Sequence, residues 1–522
     1  MTRKLATLAI LAFVGGLSDG GWHVRSAAAG PVVDEAAAAR EVLAAAHGAP
    51  AVLCALATRS VGGRFGFGPW EPPGSVGDTS TAVQWALDRS PDWRHARSHS
   101  DAAVPVLLDG LGNDDPCVRE FSARLVAQIE SRLATTGMVR ALSATAAGTR
   151  RAAAVALGLA DPTQALDPLI SRLGDDDAPV RAAAAWALGG LDERRAVPPL
   201  RHALADAISG VRAAAAQSLG RLQDTAAVGA LVNALKNDSD ERVRIAAAEA
   251  LGRMEAKSAI PALADALGDK SPSVRRICAW ALGQMEAAEA IPGLAKATDD
   301  TEREVREMAT WALGEMGVRG AAPVLIRRLQ QDADPEIRVR AAWALGQIED
   351  HAGIAPLGAA LRDDKNAEVR TTAAWALGQI EDKESVPLLA AALRDSSAEV
   401  RGNAAWALGQ IGAERAPDAL VAAVKDPSAS VRQRAAWALG HIEDASAVPT
   451  LKDAVRDADH EVSKTALWAL SQMDDETARA AFVDVLRSSD PEMRAAAARA
   501  LGGGHINPWP WPQPRPMPRP FP

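Results

Sequence analysis

Tyrosine is absent from this 522-residue chain, and aromatic residues together make up only 4% of it. A core built on large rings is therefore excluded, and alanine supplies much of the 48% hydrophobic content, which favours closely packed helices. Cysteine is also scarce: Cys54, Cys117 and Cys278 form no C-x-x-C pair and no metal-ligand spacing. Three scattered cysteines exclude iron–sulfur clusters. Cys278 reads as core, whereas Cys54 and Cys117 are free to pair if the chain is exported. Cations are in the minority, 57 against 66 acidic residues, giving a net charge of −9. A duplex-binding protein usually carries a basic stripe or a high pI, so nucleic acid is not the expected partner.

Long apolar runs are missing except at the N-terminus. There Arg3 and Lys4 precede an apolar run from Leu5 to Leu17, and Ala27, Ala28 and Ala29 offer a small-residue cleavage site. Residues 1–29 are expected to be a signal peptide, with an uncleaved N-terminal anchor as the alternative. The expected location is therefore exported, periplasmic or extracellular. The run is too short to span a bilayer as an ordinary helix.

What is abundant is repetition. The string AWALG recurs with its tryptophan at Trp186, Trp280, Trp311, Trp343, Trp375, Trp406 and Trp437, and Trp468 holds the same slot in the variant LWALS. Six residues before each tryptophan stands a Val-Arg pair in most copies, such as Val369-Arg370, Val400-Arg401 and Val431-Arg432. The period is 31 or 32 residues, and the register extends to about 13 units between residues 101 and 503. Within one copy, Asp382 is a good N-cap before a short periodic stretch, Val386 to Leu393. A polar turn at Asp395-Ser396-Ser397 leads to a second helix from Ala398 to Gln410, which Gly412 helps to stop. Pro387 falls early in the first helix, where its missing N–H costs nothing.

The unit Asp-x-x-x-Val-Arg-x-x-Ala-Ala-x-Ala-Leu-Gly-x-Ile resembles the bacterial HEAT repeat of the phycobilisome-lyase type, over roughly three-quarters of the chain. The resemblance implies an all-α fold, an α-α superhelix or HEAT/armadillo-like solenoid. It also implies that the second helices line a concave surface. Residues 30–100 are expected to form an N-terminal cap, with helices over 33–46 and 51–59 and then a loop rich in Gly and Pro. Residues 504–522 become an alternating proline tail, from Pro508 to Pro522, in which no helix can form.

On a helical wheel, Val400, Ala404, Ala407, Leu408 and Ile411 lie within about 60° of one common direction and define the core face, and Trp406 falls about 140° away. Gly409 and Gln410 lie near it. Two readings stay open. One is a partner-binding groove lined by Trp280, Trp311, Trp343, Trp375, Trp406, Trp437 and Trp468 with Gln347, Gln379 and Gln410. The other is a ladder of indoles lying between neighbouring repeats. The recurrent arginine is present in 12 of the 13 units, with Ser463 the exception. It is expected to pair with turn carboxylates such as Asp363, Asp364, Asp395 or Asp426, not with phosphate.

Catalytic signals are weak. His95 and His99 lie in a polar linker, and Gly16 to Gly20 matches G-x-S-x-G only inside the targeting segment. Deoxyhypusine hydroxylase is similar in its helical pairs, but its di-iron centre needs four His-Glu pairs, and here His460-Glu461 stands alone. The expectation is a non-catalytic scaffold for a protein or peptide partner, without cofactor or metal. The alternative is a HEAT-fold enzyme of the phycobilin-lyase or deoxyhypusine-hydroxylase kind.

Overall fold

A computed structural model describes residues 35–47, 101–473 and 476–502. The expected signal peptide, the second cap helix, the Gly/Pro loop, His95, His99 and the proline tail lie outside these residues. Every regular element among the described residues is helical, either α or short 3-10. Two-helix units follow one another in sequence order.

The unit beginning at Asp382 shows how the sequence dictates its form. The Asp382 carboxylate accepts the Glu384 amide at 2.8 Å and starts a 3-10 turn, Lys383–Ser385. The first helix, Val386–Ala392, then runs with Pro387 in its opening turn. The Asp395 carboxylate accepts the Ser397 amide at 2.8 Å and shapes the turn between the helices. The second helix, Ala398–Ile411, ends where Gly412 takes the left-handed conformation at φ 63°. Boundaries read from the sequence hold to within a residue or so. The 3-10 turn is the addition, because its three residues carry no periodicity of their own.

Two layers result. Second helices pack directly on second helices from Pro116–Val126 to His460–Gln472, far more closely than first helices approach one another. The difference has a chemical cause, since the second helices meet through Ala and Gly. The second helices thus form the more tightly spaced layer, the one expected above to line the concave, inner surface. Between the layers runs a continuous core of Val, Leu, Ile and Ala side chains, among them the fully buried Val369, Leu377, Leu389, Val400 and Leu408. At the N-terminal end, helix Glu35–Ala46 packs on Val104–Gly110 and Pro116–Val126. Cys117 is engaged in a disulfide, while Cys278 is free and buried. Cys54, the expected partner of Cys117, lies outside the described residues.

Candidate functional site

Three columns of side chains run along the second helices, one residue per repeat. The first is the tryptophan column. A Cβ placed on Gly158, Gly252, Gly283, Gly314, Gly346, Gly378, Gly409 or Gly440 would stand 2.6–3.1 Å from Cζ3 of the tryptophan in the following unit. These tryptophans are Trp186, Trp280, Trp311, Trp343, Trp375, Trp406, Trp437 and Trp468. Each indole thus lies over the glycine of the unit before it. Trp311, Trp343, Trp406, Trp437 and Trp468 are buried, with Trp311 only 1% exposed. Trp280 and Trp375 are partly open. The indoles therefore occupy the inter-repeat ladder, and only two of the seven candidate binding tryptophans keep an accessible edge. The wheel did not reveal this because it measures a face against one helix. The indole is buried by two neighbours on its own layer.

The second column stands four residues after each tryptophan. Gln284 and Gln347 are exposed, and Gln379 and Gln410 are partly so. None of these four amides has a hydrogen-bond partner among the described residues. His441 takes the same slot in the next unit. Its ring sits 4.0 Å from that of Trp437 and 5.1 Å from that of Trp468, centroid to centroid, and desolvation there pushes its pKa down.

The third column is the recurrent arginine. Ten rungs join successive units: Arg150–Asp175, Arg181–Asp206, Arg212–Asp238, Arg244–Asp269, Arg275–Asp300, Arg306–Asp332, Arg338–Asp364, Arg370–Asp395, Arg401–Asp426 and Arg432–Asp457. Arg370 shows the pattern. Its Nε and Nη2 donate to Asp395 at 2.7 and 2.9 Å, and its Nη1 donates to the Asp364 carbonyl at 2.9 Å. The column is thus consumed within the fold, as expected for pairing with turn carboxylates. Asp363 is the exception, since it pairs with Arg362.

Sequence reading missed a polar string beside the tryptophans. Arg340 pairs with Glu307 at 2.6 Å, Asn403 donates to the Thr371 carbonyl at 3.2 Å, and Arg434 donates to Asn403 at 2.8 Å. These positions vary from copy to copy, so no period announces them. His460, the histidine of the single His-Glu pair, lies 3.2 Å from Asp490, and Glu461 lies 3.5 Å from Lys464. Among the described residues no group of three or more His, Cys, Asp or Glu side chains is placed to hold a metal ion. Likewise, no helix among them is long and apolar enough to cross a membrane.

The comparisons agree with this architecture. A family model for HEAT repeats matches residues 104–189, 137–220, 166–251, 228–313, 291–377, 354–430 and 417–502. No curated protein matches. Among solved structures, Kap95p, from a study of its binding to RanGDP, is similar at 14% identity over 90% of this chain and 73% of that one, with a TM-score of 0.53. Importin beta is similar at 16% identity over 89% and 71% of the two chains, with a TM-score of 0.50. The CpcE–CpcF complex of phycocyanin lyase from Nostoc matches 47% of this chain and 93% of that one at 25% identity, with a TM-score of 0.30. The matched repeats and the helical superhelix they build make this chain a member of the HEAT-repeat family.

Proposed function

We propose that the chain is a scaffold that holds an extended protein or peptide partner along its inner face, without catalysis. The observation that carries this reading is the column of Gln284, Gln347, Gln379 and Gln410, whose amides face outwards with no partner among the described residues. Stacked helices lie about 8–10 Å apart, and an extended strand rises about 3.3 Å per residue. In the successive repeats of Gln347, Gln379 and Gln410, one amide therefore meets about every third residue of an extended chain, and Glu315 holds the slot between Gln284 and Gln347. A carboxamide both donates and accepts, which suits a peptide backbone. The partly open edges of Trp280 and Trp375 supply apolar contact beside it. Kap95p, in a structure concerned with its binding to RanGDP, has this fold, and protein binding is the use of the fold that we carry over.

The same reading makes the protein exported. The N-terminal Arg3-Lys4, apolar run and alanine triplet support it. So does the disulfide at Cys117, since such bonds persist in oxidising compartments. The absence of catalysis is supported by the ion pairs that occupy His460 and Glu461.

The test is the triple variant Gln347→Ala, Gln379→Ala, Gln410→Ala. The fold makes no bond through these amides, so the melting temperature should stay put while capture of partners from the native source is lost. An unchanged set of captured proteins would remove the inner-face reading.

A further inference from the structure

The tryptophan column is broken in one place only between Trp186 and Trp468. Two consecutive units carry Gln217 and Glu249 where the others carry tryptophan. In the same two units the glutamine column changes as well, to Arg221 and Arg253. Neither change follows from the repeat, whose glycines Gly220 and Gly252 are retained.

The two changes meet in space. A Cβ on Gly220 would touch Ala250 but no indole, because Glu249 has replaced the ring that would cover it. A cavity of about 440 Å³ opens there, floored by Gly220 and Gly252. Its walls are Arg221, Gln223, Arg253, Trp280 and Gln284, with Glu255 also contributing. Arg253 is neutralised: it holds Glu249 at 2.6 Å. Arg221 is not. Its guanidinium lies over the ring of Trp186, 5.8 Å from the centroid, and it has no ion-pair or hydrogen-bond partner among the described residues. Desolvation, and then repulsion from Arg253, push its pKa below the ordinary arginine value.

A half-buried guanidinium with no bonded carboxylate costs stability that a neutral residue would not, and Glu249, held by Arg253, offsets this only in part. Every recurrent arginine from Arg150 to Arg432 is paired with a carboxylate, which makes Arg221 the contrast. A planar fork placed over an indole, 5.8 Å from its centroid, can take a carboxylate through two parallel hydrogen bonds. The opening is about the size of one side chain and its neighbour, and Trp280 offers the apolar wall.

We infer that the gap between Trp186 and Trp280 is a pocket for a carboxylate of the partner, an Asp or Glu side chain of an extended acidic peptide, seated on Arg221 with Trp280 beside it. This rests on the inner-face reading given above. The net charge of −9 and the Glu255 carboxylate in the lining favour a single carboxyl group over a polyphosphate backbone.

The experiment uses the full chain and a peptide array holding acidic, neutral and basic sequences. It is followed by calorimetric titration with a decapeptide alternating Glu and Ser, its Gln–Ser counterpart, and inorganic phosphate. The acidic decapeptide should bind at least tenfold more tightly than the Gln–Ser form. Arg221→Gln should erase that difference without lowering the melting temperature, because the side chain bonds to nothing that holds the fold. Arg394→Gln, at an exposed arginine several units away and outside the glutamine column, should leave it intact. Equal binding of the two decapeptides, an undiminished acidic preference in Arg221→Gln, or phosphate binding as tightly as the acidic peptide would each overturn the pocket. Array binding without acidic preference would remove the pocket and leave the inner-face reading standing. No binding to any peptide would remove both.

Discussion

A side chain on Gly378 would have to begin 2.9 Å from Cζ3 of Trp406 and 2.8 Å from Cβ of Ala407. The glycine of one unit is thus shaped by the tryptophan of the next. Ordinarily, replacing a mid-helix glycine with alanine gains about 1 kcal/mol in helix propensity. At Gly378 the neighbours include the Ala407 backbone, which cannot step aside, and overpacking of this kind costs about 1–3 kcal/mol. Gly378→Ala is therefore expected to destabilise. Gly229, in helix Val228–Asn237, has nothing within 4 Å of such a Cβ, so Gly229→Ala should stabilise. Chemical denaturation of the two variants should give opposite signs, and matching signs would contradict the seat.

The Arg370–Asp395 rung should act locally. Asp395→Ala removes the carboxylate that Arg370 holds with two hydrogen bonds and that also accepts the Ser397 amide. Both side chains are largely buried, at 13% and 12% exposure, so the loss is about 3 kcal/mol. In a linear array the damage should spread to neighbours before distant units. Hydrogen exchange should accelerate in Ala367–Ile380 and Ala398–Ile411 while Ala178–Leu188 stays protected. Uniform loss along the array would contradict the prediction.

Acid should unfasten the ladder. Burial raises the pKa of Asp395, but the Arg370 hydrogen bond and the Ser397 amide outweigh it, so the carboxyl lies below its ordinary value. Asp269, Asp300 and Asp426 follow the same balance. A depressed folded pKa gives stability that is present above the unfolded value, about 3.9, and is lost as pH falls through the folded value. The ladder should therefore contribute a flat melting temperature from about pH 5 to 8 and a steep fall below about pH 4. His351 runs the other way, on a small scale. Its hydrogen bond to Asp382, and then Glu384, raises its pKa, so its contribution is complete below about pH 6.5 and fades as pH rises through the folded value. Circular dichroism melts across this range check both, and an acid-insensitive melting temperature would contradict the ladder.

Glu381 ends its helix at φ 54°, in the left-handed region that Gly412 and Gly317 occupy at the corresponding points of other units. A non-glycine residue there is strained by about 1–2 kcal/mol, of which glycine's greater unfolded-state freedom returns about 0.5–1 kcal/mol. Glu381→Gly should therefore stabilise by about 0.5 kcal/mol, read as a shift in the denaturation midpoint. A lower midpoint would show that Glu381 has a role beyond ending the helix.

Most of the fold is legible in the sequence because one period carries it. Valine, arginine, alanine and glycine recur at fixed offsets, and each offset is a contact repeated in every unit. The site is less legible. Trp406 reads as outward-facing on a wheel, yet the neighbouring second helices bury it to 9% exposure. Gly378, one unit earlier, was the sign of that burial, but it acts across 28 positions and no single helix shows it. Arg221 escapes for the opposite reason. It is conspicuous only as a departure from the repeat, and its isolation depends on Glu249 being drawn to Arg253.

The arginine rungs make the solenoid a chain of like fasteners. Each unit offers a guanidinium forwards and a carboxylate backwards, and the fastener recurs from Arg150 to Asp457, loosest at Arg306–Asp332, 3.6 Å apart. Excising residues 364–394 would set Asp395 directly after Asp363 and bring it opposite Arg338, with the turn sequence scarcely altered. Length is then a quantity that unequal recombination can lengthen or shorten by whole units, with no new interface to invent. The ends alone are fixed. Among the described residues Arg119 bonds only carbonyls of its own turn, and Ser463 has no guanidinium to extend, so growth by copying is confined to the interior.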